Sequence, residues 1–206
     1  MTLDEILGLG PVIPVLTVND AGQAAPLAAA LVAGGLRALE VTLRTPAALE
    51  VIRRMGEVEG AVVGAGTVLN AADFENVVSA GARFVVSPGL TEQLAAAAAR
   101  WNTPLLPGVA TAGEIMRGIE LGLNRFKFFP AETSGGAAAV KAFAAPFAQV
   151  RFCPTGGIRP DTAETYLSLP NVACVGGTWV APAEALETGD WKRIEQLSRA
   201  AASMRP

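Results

Sequence analysis

The chain contains no histidine and only three lysines among its 206 residues. Without histidine it lacks the commonest general base near neutral pH and the commonest zinc ligand. Catalysis, if present, must then rest on carboxylate, amine, hydroxyl and backbone groups. Cysteine is almost as scarce. Cys153 and Cys174 each sit inside an apolar run and are expected to be reduced, buried thiols, not a disulfide framework. Positive charge is not in excess: the net charge of -3 offers no basic footprint for nucleic acid. A bound anion would therefore be held by local groups. No apolar stretch approaches a membrane span, and the opening M-T-L-D-E-I carries acid where a signal peptide would carry base. A cytoplasmic protein without membrane or nucleic-acid partners is expected.

What the chain has in abundance is short apolar runs punctuated by 22 glycines and 14 prolines. Strand candidates begin at Val12, Ala38, Val62, Phe84, Pro104, Arg125, Val150 and Val172. Helical stretches lie between them, at Ala21–Gly34, Pro46–Val58, Ala71–Ala80, Thr91–Arg100, Ala112–Leu121, Gly135–Ala145 and Pro160–Leu169. Thr91 and the Pro160–Asp161 pair have the chemistry of helix starts. Strands recur roughly every 20 to 26 residues, one βα unit each time. Eight such units make a closed (β/α)8 TIM barrel the economical α/β architecture, with residues 1–206 forming one domain. Leu3–Leu9 would be an extra N-terminal helix covering the bottom of the barrel.

Glycine and proline cluster just after the strands, in G-A-G-T, S-P-G, P-G-V-A, F-P-A-E, T-G-G-I and G-G-T-W. In a barrel these are the C-terminal strand ends, where active sites are built. Ordinary turn punctuation explains any one of them; six in the same relative place point to a ligand.

Lys127 lies in the aromatic run F-K-F-F-P. A lysine in a strand-like apolar segment loses hydration, and a desolvated amine suits covalent attack on a carbonyl. The alternative is a strand-end lysine that snorkels to solvent. In A-L-E-V-T-L-R, alternation sets Glu40, Thr42 and Arg44 against Leu39, Val41 and Leu43. With the apolar set toward the helices, the polar set points into the barrel or its mouth. Glu40 would transfer protons and Arg44 would grip a substrate carboxylate; a structural Glu40–Arg44 pair is the alternative. Phe126 and Phe128 should point outward, leaving Phe129 on the lysine's side to cover a small substrate.

The last two strands end in T-G-G-I and G-G-T-W. Backbone N–H groups of Gly156, Gly157, Gly176 and Gly177, with the Thr178 hydroxyl, could bind a phosphate, since barrels often hold one between these loops. Tight βα turns would explain the same glycines. Thr67 and Pro88 complete the mouth, as ligand contacts or as turn residues. Trp101, Trp179 and Trp191 are read as packing, and Glu132 as a rim carboxylate.

Over nearly its whole length the chain resembles the bacterial 2-keto-3-deoxy-6-phosphogluconate (KDPG) and 4-hydroxy-2-oxoglutarate aldolases, which are class I enzymes. The resemblance runs through P-V-I-P-V-L, L-V-A-G-G-L, L-E-V-T-L-R-T, V-V-G-A-G-T-V-L-N, F-V-V-S-P-G-L-T, F-K-F-F-P-A-E, F-C-P-T-G-G-I-R-P and G-G-T-W. It implies a Schiff base on Lys127, acid/base chemistry at Glu40 and carboxylate binding at Arg44. It likewise implies substrate contacts at Thr67, Pro88 and Phe129, and a phosphate site at Gly156, Gly157, Gly176 and Gly177. The family often has serine where Thr178 stands; the hydroxyl is kept. Cleavage of KDPG to pyruvate and glyceraldehyde 3-phosphate is implied, with a side activity that splits 4-hydroxy-2-oxoglutarate to pyruvate and glyoxylate. No metal or other cofactor is implied, because the iminium does the work of a Lewis acid. A homotrimer is implied as well. The rival within the class is an aldolase for 2-keto-3-deoxy-6-phosphogalactonate. A phosphosugar isomerase or epimerase on the same fold would need two opposed acid/base groups and would have no use for Lys127.

Overall fold

The computed structural model of the chain describes residues 1–204. Among these, nine strands alternate with helices. The strands are β1 Val12–Leu16, β2 Ala38–Thr42, β3 Val62–Gly66, β4 Val85–Val86, β5 Leu105–Leu106, β6 Gly108–Val109, β7 Arg125–Phe128, β8 Arg151–Pro154 and β9 Val175–Gly177. The helices are α1 Leu3–Leu7, α2 Ala24–Ala33, α3 Ala48–Gly56, α4 Ala71–Ser79, α5 Glu92–Trp101, α6 Ala112–Glu120, α7 Gly136–Ala142, α8 Pro160–Leu167, α9 Ala183–Thr188 and α10 Trp191–Ala202. Side-chain caps fix many of the helix starts. Thr91 accepts from Leu94 N, Asn70 from Asp73 N, and Thr111 with Glu114 forms a capping box. Each such cap stabilises its helix by about 1 kcal/mol.

All strand pairs are parallel, in two sheets ordered β5-β4-β3-β2-β1-β9 and β6-β7-β8. This is an α/β fold with a curled parallel sheet, but not one unbroken eight-stranded ladder. At one seam the expected fifth strand is divided at Pro107, which has no N–H to donate. Its first half pairs with β4 and its second with β7. At the other seam β8 meets the last strand through two isolated bridges, Phe152 with Val172 and Thr155 with Gly176. Two helices that the sequence did not suggest, α9 and α10, follow β9. Asp190 caps α10 through Arg193 N, and α10 packs on α2 through Ile194, Ser198 and Ala201.

The core has two parts. The larger lies between sheet and helices, where Phe126 and Phe128 of β7 point outward as expected and meet Phe152 and Phe143 at ring separations of 6.1 to 6.5 Å. Burying each such ring contributes roughly 2–3 kcal/mol. The smaller lies inside the curl: Ile13, Ala38, Val62, Phe84, Val86, Leu106, Cys153 and Cys174, joined by Ile6 and Leu7 of α1. Helix α1 thus closes the N-terminal ends of the strands.

Candidate active site

Strand alternation and the closed lower end place one ion pair inside the curl. Leu39 and Val41 turn outward into the helix-facing core, so Glu40 and Thr42 turn inward. On β7 the same logic turns Lys127 inward between Phe126 and Phe128. Lys127 Nζ donates to Glu40 Oε1 at 3.3 Å, and the residues are 5% and 3% exposed. The lysine does not snorkel, and Glu40 does not pair with Arg44. A buried ion pair is at best neutral for stability against apolar packing, so its presence needs another explanation. The Phe129 ring lies over the amine, 5.1 Å from Nζ to centroid.

Space for the Glu40 carboxylate comes from β3. A Cβ on Gly66 would stand 2.1 Å from Glu40 Oε1. That requirement was not evident from the sequence, where G-A-G-T reads as turn chemistry. Below the pair are Cys153, the register partner of Lys127, and Cys174. Both are free and buried. A hydrogen bond to Cys153, burial and the nearby Glu40 charge push the Cys174 thiol well above its ordinary pKa, which leaves it protonated and unreactive.

Above Glu40, Thr42 Oγ1 donates to Leu16 O at 2.9 Å and lies 3.1 Å from Thr17 Oγ1. Arg44 is exposed and, among the described residues, has no side-chain hydrogen bond or ion pair. Thr67 follows β3 with φ +60°, a left-handed conformation that a β-branched residue adopts only under strain. Pro88 follows β4 and is half-buried. Arg44, Thr67, Pro88 and Phe129 therefore all stand at C-terminal ends of parallel strands, above the buried pair.

The glycine loops come together at the β8–β9 seam. Gly156 and Gly157 have φ of +103° and +80° and lead into α8. Ala131 N donates to Thr155 O at 2.8 Å and Glu132 N to Gly156 O at 3.1 Å, tying the loop after β7 to the loop after β8. Glu132, on the rim as expected, accepts from Tyr166 OH at 2.6 Å. Gly176 and Gly177 have steric reasons of their own: a Cβ would come 2.3 Å from Thr155 Oγ1 at the first and 1.9 Å from the Trp179 ring at the second. Thr155, buried beneath the seam, was not singled out from the sequence, although it stands in the C-P-T-G-G-I motif. Thr178 is exposed beside these glycines.

A cavity of about 670 Å³ lies between α1 and the C-terminal ends of α5 and α6, at the end of the sheet away from Lys127. None of the candidate site residues lines it. Among the described residues no group of three or more His, Cys, Asp or Glu could hold a metal ion, and no helix is long and apolar enough to cross a membrane.

The sequence model of the family described as KDPG and KHG aldolase matches residues 3–197. The chain is 54% identical over 199 residues to the KHG/KDPG aldolase of Escherichia coli K12, which covers 96% of this chain and 93% of that protein. The crystal structure of 2-keto-3-deoxy-6-phosphogluconate aldolase from Zymomonas mobilis superposes with a TM-score of 0.95 at 53% identity, over 100% of this chain and 98% of that one. KDPG aldolase from Legionella pneumophila, with pyruvate captured as a covalent carbinolamine intermediate, gives a TM-score of 0.94 at 47% identity, covering 97% and 98% of the two chains.

Proposed function

The chain belongs to the KDPG and KHG aldolase family, and on that premise we propose that Lys127 is its imine-forming amine and Glu40 its acid/base. It is a class I aldolase, a carbon–carbon lyase acting on small phosphorylated 2-keto acids. The observation that carries the residue assignment is the buried 3.3 Å contact between Lys127 Nζ and Glu40 Oε1. Amine and carboxylate so placed can pass one proton back and forth at each step.

With its proton on Glu40, Lys127 attacks carbon two of KDPG. The carbinolamine loses its hydroxyl as water, protonated by Glu40, and a protonated imine remains. Glu40, now a carboxylate, takes the proton of the carbon-four hydroxyl. The bond between carbons three and four breaks, its electrons move to the iminium nitrogen, and glyceraldehyde 3-phosphate leaves. Glu40 returns the proton to carbon three of the enamine. Water then adds to the pyruvate imine, and hydrolysis frees pyruvate and Lys127.

Arg44, without a side-chain partner among the described residues, is suited to the substrate carboxylate. The strain at Thr67 is consistent with a hydroxyl held for a ligand, and Pro88 and Phe129 shape the walls around the pyruvyl end. Gly156, Gly157, Gly176, Gly177 and Thr178 are assigned to the phosphate, with loop geometry as the support. We assign the gluconate series over the galactonate series from the likeness to the named KDPG aldolases, with 4-hydroxy-2-oxoglutarate as a second substrate. The two sheets are read as halves of one (β/α)8 barrel in a single domain; of its expected span, residues 205 and 206 lie outside the described residues. Assembly as a cytoplasmic homotrimer follows from the family resemblance.

The test is pyruvate release from KDPG in a coupled assay. Wild-type protein should turn over, also in EDTA, and Lys127→Met should not, with its fold checked by circular dichroism. Turnover by Lys127→Met at a wild-type rate would exclude the lysine assignment.

A further inference from the structure

We propose that Thr17 is a specificity-determining residue of this site, its hydroxyl accepting a hydrogen bond from the carbon-five hydroxyl of the substrate. This rests on the assignment of Lys127 and Glu40 above and extends it to the middle of the substrate.

The register of β1 and β2 pairs Val15 with Glu40 and Leu16 with Val41, which sets Thr17 level with Thr42. Leu16 and Val18 belong to the helix-facing core, so Thr17 between them turns toward the mouth. The 3.1 Å separation of the Thr17 and Thr42 hydroxyls agrees with that direction. Thr42 commits its single proton to Leu16 O at 2.9 Å. The contact between the two threonines is then donated by Thr17, because a hydroxyl has one proton and two lone pairs. Thr17 is left with free acceptor capacity and no free donor. It is exposed.

The position of β1 decides which substrate group arrives there. On one side β1 pairs with β2, which carries Glu40; on the other it pairs with β9, where Pro14 is level with Gly177. Thr17 thus stands between the acid/base and the proposed phosphate loops. Carbon two is fixed at Lys127, the carbon-four hydroxyl is taken by Glu40, and the phosphate on carbon six is held at the seam. The carbon-five hydroxyl is the one polar group of KDPG left to place, and it is a donor. A substrate such as 4-hydroxy-2-oxoglutarate, with a carboxylate at carbon five, has no donor to offer.

The experiment runs the reaction toward condensation, with pyruvate and two aldehydes: glyceraldehyde 3-phosphate, whose carbon-two hydroxyl becomes that of carbon five, and 3-oxopropyl phosphate, which lacks it. Wild-type protein should prefer the first in kcat/KM. Thr17→Val, an isostere without the hydroxyl, should reduce that preference roughly tenfold, the scale of one hydrogen bond, and Thr17→Ser should retain it. Each protein is also treated with pyruvate and borohydride to count adducts on Lys127. An unchanged ratio in Thr17→Val with the adduct intact would overturn the role of Thr17 alone. So would a wild-type enzyme that does not distinguish the two aldehydes, whatever the variants do. A wild-type protein giving neither adduct nor condensation would instead overturn the proposed function, and Thr17 with it.

Discussion

Gly66 of β3 lies against the carboxylate of Glu40 so closely that an added Cβ would stand 2.1 Å from Oε1. The Glu40 carboxylate is held from one side by Lys127 Nζ and from the other by a backbone without a side chain. Its position therefore depends on a residue that performs no chemistry. Gly66→Ala should displace the carboxylate by about 1 Å and reduce kcat by roughly 10²-fold. Circular dichroism and steady-state kinetics would check this. A folded variant with near-wild-type kcat would show that the carboxylate has other room.

Glu40→Gln removes the proposed proton carrier but keeps the shape. Turnover should fall roughly 10²-fold or more, the usual scale of general acid/base catalysis. Imine formation with pyruvate should persist at a lower rate, because the amine remains. Single-turnover trapping against steady-state turnover separates the two effects.

Much of this site was legible before the fold was. Polar residues at alternate positions of L-E-V-T-L-R, and a lysine between two outward phenylalanines, show which side chains turn inward from strand periodicity alone. The pairing of Lys127 with Glu40 across the curl followed from counting βα units. What could not be read depends on partners far along the chain. The Thr17–Thr42 contact exists because β1 and β2 pair in one register, and the need for glycine at 66 appears only when Glu40 leans over it. The division of the fifth strand at Pro107 was within reach, since proline interrupts a ladder. So was α10, with Asp190 standing ahead of it as a cap. The glycines at 176 and 177 remain explicable in two ways, because their neighbours Thr155 and Trp179 require them with or without a phosphate.

The phosphate assignment is therefore better tested at Thr178, where no packing partner interferes. Thr178→Val should raise KM for KDPG roughly tenfold, the cost of one hydrogen bond to a charged group, and affect 4-hydroxy-2-oxoglutarate much less. Equal losses on both substrates would count against a phosphate contact.

Removing one partner of the buried pair should also carry a stability cost. Lys127→Met leaves the Glu40 charge without its partner and should destabilise by about 3 kcal/mol. Adding Glu40→Gln to that variant should restore part of the loss. Denaturant midpoints of the single and double variants measure this; a double variant less stable than the single would contradict the ion-pair account.

Tyr166 is the single tyrosine of the chain, so its ionisation can be followed by absorbance without interference from another phenol. Burial, and then its hydrogen bond to the Glu132 carboxylate, hold its pKa well above the ordinary value of 10.0. A raised folded-state pKa gives stability that is fully present below the unfolded value and is lost as pH rises toward the folded one. Tyrosinate absorbance should appear above pH 10 and only with unfolding, and Tyr166→Phe should lose less stability over that alkaline range. Titration at pH 10 in the folded protein would contradict the buried contact.

The most direct test of the Lys127 assignment is reduction with borohydride in the presence of pyruvate, followed by intact mass and peptide mapping. The expected result is one pyruvate-derived unit per chain, on the peptide that carries Lys127, and none on Lys127→Met. No adduct, or an adduct on Lys141 or Lys192, would contradict the account.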